Sequence, residues 1–444
     1  MANTYLQRTN TSATNTYTFS AWVKLANPSN NDNQWIFTSN DSGLMIRGTS
    51  AGSSGEQFHF YNNSNATNYF SGAKRRDVSA WYHIVLSSSS GTGTLYVNGE
   101  TDKTGIVVPN LSTSTNAMQI GRLASAGSQY FDGAMSHIHF IDGTAYDASA
   151  FGKTDTTTGE WEAKTSPSVT YGTNGFFILK DGNGITDQSG EGNDFTLGGG
   201  TLTDLKDNPD NVFATLNPLA TSSYNTLTNG NLTVAGNADA NDGKTYSTLV
   251  MPNATSKFYW EIKCVSKEDN GNPKYGFIQA SRGFDNSNGN AAAGTLNPCY
   301  DFIIRPSGQI DTNGSTGSVI TSTWGAGDIL SFALDSINGA CYVGINGVWQ
   351  TSGNPTSGAS RTGAILTWSP TQGGSIGALD GQAIYISSYA TGSVSNVNFG
   401  NGFFGTTAIT TNSGNGYAGA EGSSKFNYTV PTGYSALNTK GLNE

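Results

Sequence analysis

The stretch that decides the fold is Tyr17-Thr18-Phe19-Ser20-Ala21-Trp22-Val23-Lys24-Leu25. Its odd-numbered residues are apolar and its even-numbered residues are mostly polar, which is the two-residue period of a half-buried β-strand. Trp22 interrupts the polar face, and we expect it either to be covered by a second layer or to be exposed for binding. Similar alternating runs occur at residues 57–61, 81–86 and 136–141, and helical periodicity is nearly absent.

The rest of the chain repeats this pattern in longer runs, at residues 257–265 and 328–335. Asn-Gly pairs such as 98–99 and 346–347 mark tight hairpin turns, because both residues accept positive φ angles. Sheets of this kind bury one face against a second sheet, about 10 Å away. We therefore predict an all-β chain with two β-sandwiches, one at residues 1–150 and one, with a C-terminal tail, at 212–444. Residues 151–211 are rich in Gly, Thr and Asp, and we interpret them as an irregular connector packed on the two lobes.

Composition excludes several classes of function. The chain has 444 residues, of which 12% are charged, and its net charge is −10. A protein that binds duplex nucleic acid needs a cationic face, and an acidic chain is also poorly suited to an anionic membrane surface. The one basic cluster, at 74–76, is followed at once by Asp77 and is expected to be a solvated loop.

No apolar run is long enough for a transmembrane helix, and the first residues do not show the charged-then-apolar order of a secretory signal. We therefore expect a chain that is made in the cytosol and either stays there or leaves by lysis as part of a particle. Its three cysteines (Cys264, Cys299 and Cys341) are odd in number and widely spaced, which argues against a disulfide framework. Cys264 and Cys341 lie in apolar strand-like runs and are most simply buried thiols, with a bridge between them as the alternative.

Motifs for catalysis are missing. All four histidines lie in the first part and all three cysteines in the second, so no nucleophile is paired with a base. Glucanases of a related architecture carry three acids at alternate strand positions, and the closest match, Glu160-Trp161-Glu162, has only two. His137 and His139 could hold a metal if a third ligand came near, but are more simply the polar surface of an edge strand. We expect no enzyme.

The richest cluster of oxygen ligands spans residues 181–194. Asp187, Ser189 and Glu191, followed by Gly192, match the first half of a calcium loop, and Asp181 or Asp194 could complete the set. The twelfth position holds Gly198 instead of the bidentate Glu that such a loop requires. Two interpretations remain: a turn in which Asp and Asn side chains bond their own backbone, or a structural calcium site. No other cofactor is expected.

Two resemblances to known families follow from particular segments. Residues 1–150 resemble the laminin-G/pentraxin-like branch of the concanavalin A-like jelly rolls, and residues from 212 onward resemble a SPRY domain. The segments that carry the first resemblance are 19–24, 81–85, 95–99, 120–122 and 131–136, and those that carry the second are 257–262, 274–277, 327–335, 346–349 and 397–400. SPRY domains bind through loops at one end of the sandwich, which implies 281–297, 306–318 and 351–363 here. Residues 401–424 depart from the compact SPRY ending.

The whole chain also resembles virion or fibre proteins of tailed bacteriophages, in segments that include residues 5–9, 140–146 and 431–440. This resemblance implies a virion structural protein that is assembled in the host cytoplasm and exposed on the particle surface. We expect a tail-fibre or appendage adhesin that contacts host glycans, bound to other virion proteins and oligomeric, with a trimer favoured. The other interpretations are a capsid or tail decoration protein without a host ligand and, third, a glycan-degrading enzyme. Six tryptophans near turns are candidates either for sugar stacking or for the core: Trp35, Trp81, Trp161, Trp324, Trp349 and Trp368.

Overall fold

A computed structural model describes residues 3–180, 184–237, 242–253, 255–267, 273–280, 302–312, 315–320, 322–369, 381–409 and 418–443. The chain divides into two compact units. Unit 1 comprises residues 1–204 and 208–210, and unit 2 comprises residues 205–207 and 211–444. In the described residues, no helix has both the length and the apolar character needed to span a bilayer.

Unit 1 contains fifteen strands among its described residues. They are β1 (Tyr5–Arg8), β2 (Tyr17–Leu25), β3 (Gln34–Ser39), β4 (Ser42–Ile46), β5 (Gln57–Asn62), β6 (Thr67–Lys74), β7 (Trp81–Ser89), β8 (Thr92–Val97), β9 (Glu100–Val107), β10 (Met118–Ile120), β11 (Gly133–Asp142), β12 (Gly152–Thr154), β13 (Trp161–Ala163), β14 (Phe176–Ile178) and β15 (Thr196–Gly199). Short 3₁₀ turns occur at Thr49–Ser54 and Ala148–Ala150.

Two antiparallel sheets of unit 1 enclose its core. One has seven strands in the order β15-β1-β10-β3-β4-β5-β6, and the other has six in the order β14-β11-β2-β7-β8-β9. The odd-numbered residues of β2, which the sequence predicts to be apolar and inward-facing, all belong to the core between the sheets. The alternation of β2 therefore identifies its buried face correctly, and the predicted β-sandwich is confirmed.

The stretch between the two predicted sandwiches supplies strands to unit 1. β14 pairs with β11 at the edge of the six-stranded sheet, and β15 pairs with β1 at the edge of the seven-stranded sheet. Phe176 and Ile178 of β14 and Phe195, just before β15, are part of the core. β14 and β15 are thus the end strands of the two sheets of unit 1.

A third layer covers the outer face of the six-stranded sheet. Apolar residues from 146–171 pack on Val85 and Ile141, which point away from the sandwich core. Trp22 is 4% exposed and its ring stacks on His83 at 4.8 Å. Trp161 stacks on His83 at 5.9 Å, and its indole N–H donates to His83 Nδ1 at 2.9 Å. Of the two alternatives for Trp22, the structure shows the covered one.

His83 is therefore a buried polar residue between two indole rings. Because the indole nitrogen only donates, Nδ1 of His83 must be unprotonated, and Nε2–H then donates to Ser20 Oγ at 2.9 Å. Burial lowers the pKa of His83 to about 3, with a smaller effect from His137. The imidazole is neutral near pH 7 and holds the covering layer by a directed hydrogen bond as well as by stacking.

Unit 2 contains sixteen strands among its described residues. They are β16 (Asn225–Thr228), β17 (Thr233–Gly236), β18 (Gly243–Met251), β19 (Lys257–Ser266), β20 (Lys274–Gln279), β21 (Phe302–Ile304), β22 (Gln309–Thr312), β23 (Ser315–Val319), β24 (Ile329–Asp335), β25 (Ala340–Ile345), β26 (Val348–Trp349), β27 (Leu366–Thr367), β28 (Gln382–Ser388), β29 (Val394–Asn398), β30 (Phe403–Phe404) and β31 (Thr407–Ala408). The helical elements are 3₁₀ turns at Pro218–Ala220, Gln350–Ser352 and Gly358–Ser360 and the helix α1 (Thr439–Leu442).

The sheets of unit 2 form a second sandwich. One has eight strands in the order β16-β17-β29-β19-β24-β25-β26, with β27 also paired to β25. The other has six strands in the order β18-β28-β20-β21-β22-β23. Phe258, Trp260 and Ile262 of β19 point into the core between them. The all-β class predicted for both parts is thus confirmed.

The outer face of the eight-stranded sheet is also covered, by residues near the C-terminus. Phe426, Val430 and Tyr434 pack on Tyr259, which points outward from β19. The adjacent outward residue, Glu261, is fully buried and accepts four hydrogen bonds. Two come from the backbone N–H groups of residues 427 and 428, both at 2.8 Å. The other two come from the hydroxyl of Tyr259 at 3.0 Å and from the side-chain amide of residue 398 at 3.3 Å.

The contribution of the late core strands of unit 1 can be tested with two fragments. A fragment of residues 1–150 lacks β14 and β15 and loses the core side chains Phe176, Ile178 and Phe195. Each such side chain contributes about 1.5–3 kcal/mol when fully buried. In thermal melts followed by far-ultraviolet circular dichroism, we expect the 1–150 fragment to unfold at a lower temperature, or without cooperativity, than a 1–210 fragment. Equal midpoints for the two fragments would contradict this assignment.

The buried Glu261 predicts a pH dependence of unit 2. Burial raises its pKa from an ordinary value of 4.5 to about 7. Because the folded-state pKa is the higher one, the stabilisation from this group is complete below about pH 4.5 and is lost as the pH rises through about 7. We expect a loss of about 3 kcal/mol in the free energy of unfolding over this range.

The matched variant is Glu261→Gln, which keeps the shape of the side chain but does not titrate. The substitution itself destabilises unit 2 by an amount that does not change with pH. The test therefore uses calorimetry to compare how the free energy of unfolding of each protein changes with pH. The wild type should lose stability between pH 4.5 and 7 relative to the variant. Parallel curves would show that Glu261 has the same pKa in the folded and unfolded chains.

Candidate functional site

The outer face of the seven-stranded sheet carries a group of aromatic residues, which we call the aromatic face: Trp35, His59, Tyr61 and Phe70. Phe58 and Phe60 of β5 point into the core, so His59 and Tyr61, which alternate with them, point outward. The register places His59 opposite Phe70 of β6 and opposite Met45 of β4. Met45 in turn lies opposite Trp35 of β3, so that one row of side chains crosses four strands.

A β-bulge determines which residue of β3 joins this row. Trp35 pairs with Met45 and Phe37 pairs with Leu44, so Ile36 is an extra residue in β3. Both Ile36 and Phe37 can therefore enter the core, while Trp35 points outward. Gly43 lies beside the bulge, where an added Cβ would be only 2.0 Å from the carbonyl oxygen of Phe37. The close approach of the two strands requires glycine at this position.

The rings of the aromatic face contact one another. His59 stacks on Phe70 with centroids 4.5 Å apart and planes 13° apart, and Tyr61 lies 6.3 Å from His59. Tyr61 also meets Trp35 edge-on at 6.4 Å. Trp35 is 2% exposed and donates its indole N–H to Gln129 Oε1 at 2.8 Å, whereas Tyr61 and Phe70 are partly exposed. Trp35 is therefore a buried residue that packs against Tyr61, whereas Tyr61 and Phe70 expose part of their rings to solvent.

His59 is the unusual member of this group. It is fully buried; among the described residues neither ring nitrogen forms a hydrogen bond of good geometry, and the side chain of Asn68 is the hydrogen-bonding group beside the ring. Burial lowers its pKa to about 3, the charge of Arg47 lowers it further, and the nearby Asn68 side chain partly opposes both. The ring is neutral near pH 7 and offers one donor and one acceptor. Buried polar atoms without partners are rare in native proteins and call for a ligand, a water or a functional role.

The arrangement suits a ligand that has both an apolar face and many hydroxyl groups. Ligand sites combine aromatic side chains with a few polar groups that set orientation. The exposed Asn68, which lies opposite Tyr61 in the ladder, adds an amide beside His59. A saccharide has this combination of C–H faces and hydroxyls. Sequence reasoning did not single out this face, because the bulge that turns Trp35 outward is not visible in the alternation of residues.

The residues of the predicted calcium loop form a hydrogen-bonded turn. Asp187 accepts four hydrogen bonds of 2.7–2.9 Å, two at each carboxylate oxygen. The donors are the backbone N–H groups of residues 177, 189 and 193 and the hydroxyl of Ser189. Asp194 accepts from the N–H of Asp187 at 2.7 Å, and Glu191 is exposed.

Among the described residues, no three His, Cys, Asp or Glu side chains come together as metal ligands. Asp181 lies outside the described residues. Calcium at Asp187, Ser189, Glu191 and Asp194 stays a prediction.

A cation does lie beside this turn, the guanidinium group of Arg8. Arg8 is 6% exposed and donates to Asn193 Oδ1 at 2.5 Å and to the carbonyl of Asn174 at 2.8 Å. Asp187 and Asp142 interact with its charge, and the rings of two core phenylalanines lie within 5.8 Å of it. Arg8 therefore links β1 to Asn174 and Asn193, which lie more than 160 residues later in the chain.

The two histidines of β11 are not at the surface, and the interpretation of them as the polar face of an edge strand is wrong. β14 pairs with β11, which therefore is not an edge strand, and both His137 and His139 are buried. A bulge between Ser136 and His139 gives His137 a positive φ of 48°. His139 stacks on Phe177 at 3.9 Å and bonds the hydroxyl of Tyr171 through Nδ1 at 3.0 Å.

The other residues singled out from the sequence lie in ion pairs, in the core or at exposed positions. Glu162 pairs with Lys153 at 3.5 Å, and Glu160 is exposed. Cys264 and Cys341 are buried free thiols, and Cys299 lies outside the described residues. Of the six candidate tryptophans, only Trp161 and Trp349 are partly exposed. The loop 281–297 and parts of 306–318 and 401–424 also lie outside the described residues.

Comparisons with known proteins identify the fold of the first part. Residues 2–149 match the family model described as the concanavalin A-like lectin/glucanases superfamily. This match supports the jelly-roll architecture predicted for these residues. No curated protein sequence matches the chain.

Similar solved structures share low sequence identity with this chain. The SPRY domain of human HERC1 is 12% identical over 41% of this chain and 96% of that domain, with a TM-score of 0.31. A putative carbohydrate binding protein from Bacteroides ovatus is 21% identical over 33% of this chain, with a TM-score of 0.29, and this chain spans 42% of its length. A heptameric SAP-like pentraxin from Limulus polyphemus is 19% identical over 33% of this chain and 72% of its own, with a TM-score of 0.26.

A pair of variants distinguishes the hydrogen-bonded turn from a calcium site. Asp187→Ala removes the acceptor of four hydrogen bonds, and we expect it to lower the stability of unit 1 by about 3 kcal/mol, since bonds to charged groups contribute about 1.5–3 kcal/mol each and the chain partly relaxes. Glu191→Ala changes an exposed side chain of the same predicted ligand set and should leave the melting temperature unchanged. Excess chelator should also have no effect on the wild type. A fall in melting temperature with chelator and with both variants would show that calcium is bound.

Proposed function

We propose that this protein is a non-enzymatic virion protein of a tailed bacteriophage that attaches to host-surface glycans through the aromatic face of unit 1. The observation that carries the proposal is the pair of partly exposed rings, Tyr61 and Phe70, beside the exposed amide of Asn68 on the outer face of the seven-stranded sheet. The family of the matching model includes lectins, whose function is to bind sugars.

The physical basis of binding is stacking together with a few directed hydrogen bonds. The C–H face of a sugar ring packs on an aromatic ring, which removes apolar surface from water. Hydroxyl groups of the same sugar both donate and accept, so they can pair with the exposed amide of Asn68. A site that is partly solvent-exposed binds weakly, and an oligomer, with a trimer favoured, supplies avidity through several simultaneous contacts.

The absence of catalysis is part of the proposal. Glycoside hydrolysis generally uses two carboxylates on opposite sides of the scissile bond. The described residues that form the aromatic face, with Arg47 and Asn68 beside it, include no carboxylate. Glu160 and Glu162 belong to the hairpin of β12 and β13, on the covering layer of the other sheet. Binding without cleavage is the chemistry that these residues support.

The assignment to a virion rests on the resemblance of the whole chain to tailed-bacteriophage proteins. In this proposal the chain is assembled in the host cytoplasm, bound to other virion proteins and exposed on the particle. A decoration protein of the capsid or tail, without a host ligand, would also be part of the particle but would have no use for the aromatic face. Cryo-electron microscopy of purified particles tests the location: density at the tail-fibre tips supports the adhesin, and density on the capsid lattice supports decoration. Absence of the chain from purified particles would contradict both.

Variants of the aromatic face test the glycan-binding function. Tyr61→Ala and Phe70→Ala each remove one exposed ring, and we expect each to weaken binding to bacterial surface polysaccharides by about tenfold or more, as for aromatic hot spots in other interfaces. Tyr61→Phe keeps the ring and should retain most of the affinity, which separates stacking from a general loss of structure. Circular dichroism melts confirm that each variant is folded. Unchanged affinity in both alanine variants would contradict the assignment of the site.

A further inference from the structure

We propose that the ligand of the aromatic face is an acidic saccharide, and that Arg47 is the residue that receives its carboxylate or phosphate group. The proposal deepens the glycan-binding function proposed above and rests on it. It begins from the position of Arg47, directly after β4. Its N–H donates to the carbonyl of Gln57 and its carbonyl accepts from the N–H of Glu56, so its backbone continues the ladder.

Alternation along β4 places the Arg47 side chain on the same outer surface as the aromatic face. Leu44 and Ile46 point into the core, and Met45 points outward beside His59. Arg47 follows as the next outward residue, and its charge acts on His59. Arg47, Tyr61 and Phe70 are therefore partly exposed on the same side of the sheet, next to the buried His59.

The guanidinium group of Arg47 has no counter-charge of its own. Within the described ranges of the chain, its side chain forms no ion pair, and its buried Nε has no hydrogen-bond acceptor. The nearest carboxylate along the ladder, Glu56, is already engaged. It pairs with Lys74 at 3.2 Å and with Arg76 at 2.6 Å, and it accepts from the hydroxyl of Ser29 at 2.8 Å.

A carboxylate or phosphate on a bound sugar would satisfy these unpaired groups together. Arginine presents several N–H donors in a planar fork that matches the oxygens of both anions. A neutral saccharide would stack on Tyr61 and Phe70 equally well, but it would leave the partly buried cation without an anionic partner.

The experiment measures the binding of the full chain to bacterial capsular and lipopolysaccharide-derived polysaccharides that include carboxylate-bearing and phosphate-bearing members. Each polysaccharide is used as isolated, after chemical reduction of its carboxylates to alcohols, and after removal of its phosphates. The proposal expects strong binding to one or more native acidic polymers and a loss of about tenfold or more after the treatment that removes its anion. Which treatment has this effect identifies the carboxylate or the phosphate as the ligand of Arg47.

Variants test whether Arg47 is responsible for the preference for acidic polysaccharides. Arg47→Gln should weaken binding to the native acidic polymer by about tenfold or more, and it should bind the treated, neutral polymer as the wild type does. Arg76→Gln is the matched control, because it removes the same charge from the same unit at an exposed residue that is already paired with Glu56. It should leave binding of both polymers unchanged.

The outcomes separate this inference from the function on which it rests. Equal binding of native and neutral polymers, lost only in Tyr61→Ala and Phe70→Ala, would overturn the acidic ligand and leave glycan binding intact. Equal effects of Arg47→Gln and Arg76→Gln would overturn the role of Arg47. Failure to bind any of the polysaccharides, native or treated, would contradict the glycan-binding function itself.

Discussion

The covering layer of unit 1 depends on the contact between Trp161 and His83. A β-sandwich has two outer sheet faces, and the outer face of β2 carries Trp22, a large apolar side chain that is costly to expose. His83 lies against that indole and offers its Nδ1 to the N–H of Trp161. The hydrogen bond determines where the segment 146–171 docks, and the surrounding apolar contacts keep water out. This face of the sheet is therefore part of the interior and is not open to a ligand.

In unit 2, the outer face of a sheet is also covered by a later segment of the chain, but the polar group in that contact is a carboxylate instead of an imidazole. Its β19 carries Tyr259 and Glu261 on the outer face, and the segment that contains Phe426 covers them. A buried carboxylate is costly unless it is hydrogen-bonded, and Glu261 offsets part of this cost by accepting two successive backbone N–H groups of the covering segment. In both units, one polar side chain in the middle of an outer face directs a later part of the chain onto it. On the outer face of the seven-stranded sheet, Tyr61 and Phe70 are partly exposed, whereas Trp35 and His59 are buried.

Local patterns were enough to predict much of this architecture. The alternation at 17–25 and 257–265 identifies the inward residues of β2 and β19, and the Asn98-Gly99 turn joins β8 to β9 as expected for a hairpin. Features that depend on an irregular backbone were not predictable in this way. One extra residue at Ile36 turns Trp35 outward, and a bulge with positive φ at His137 changes the face of its neighbours.

Long-range contacts were equally hidden from local analysis. Arg8 and the turn at Asp187 both belong to segments noted in the sequence, but only the folded chain shows that the guanidinium lies against that turn. The covering layers and the row from Trp35 to Phe70 also join strands whose pairing no short window of sequence encodes. The sequence left a hydrogen-bonded turn and a calcium site open at residues 187–194, and the described structure shows that Asp187 and Asp194 accept hydrogen bonds from backbone N–H groups, with Arg8 beside the turn.

The residues of the aromatic face and Arg47 lie close together in the sequence. Arg47, His59, Tyr61, Asn68 and Phe70 all come from one uninterrupted run of strands, β4 to β6, with the residues that join them, and Trp35 comes from the strand just before. The residues that hold the covering layer, His83 and Trp161, lie outside this run. Exchange of this one short segment would therefore replace most of the proposed binding residues and leave His83 and Trp161 in place, but the new segment would also have to supply the core side chains Leu44, Ile46, Phe58 and Phe60.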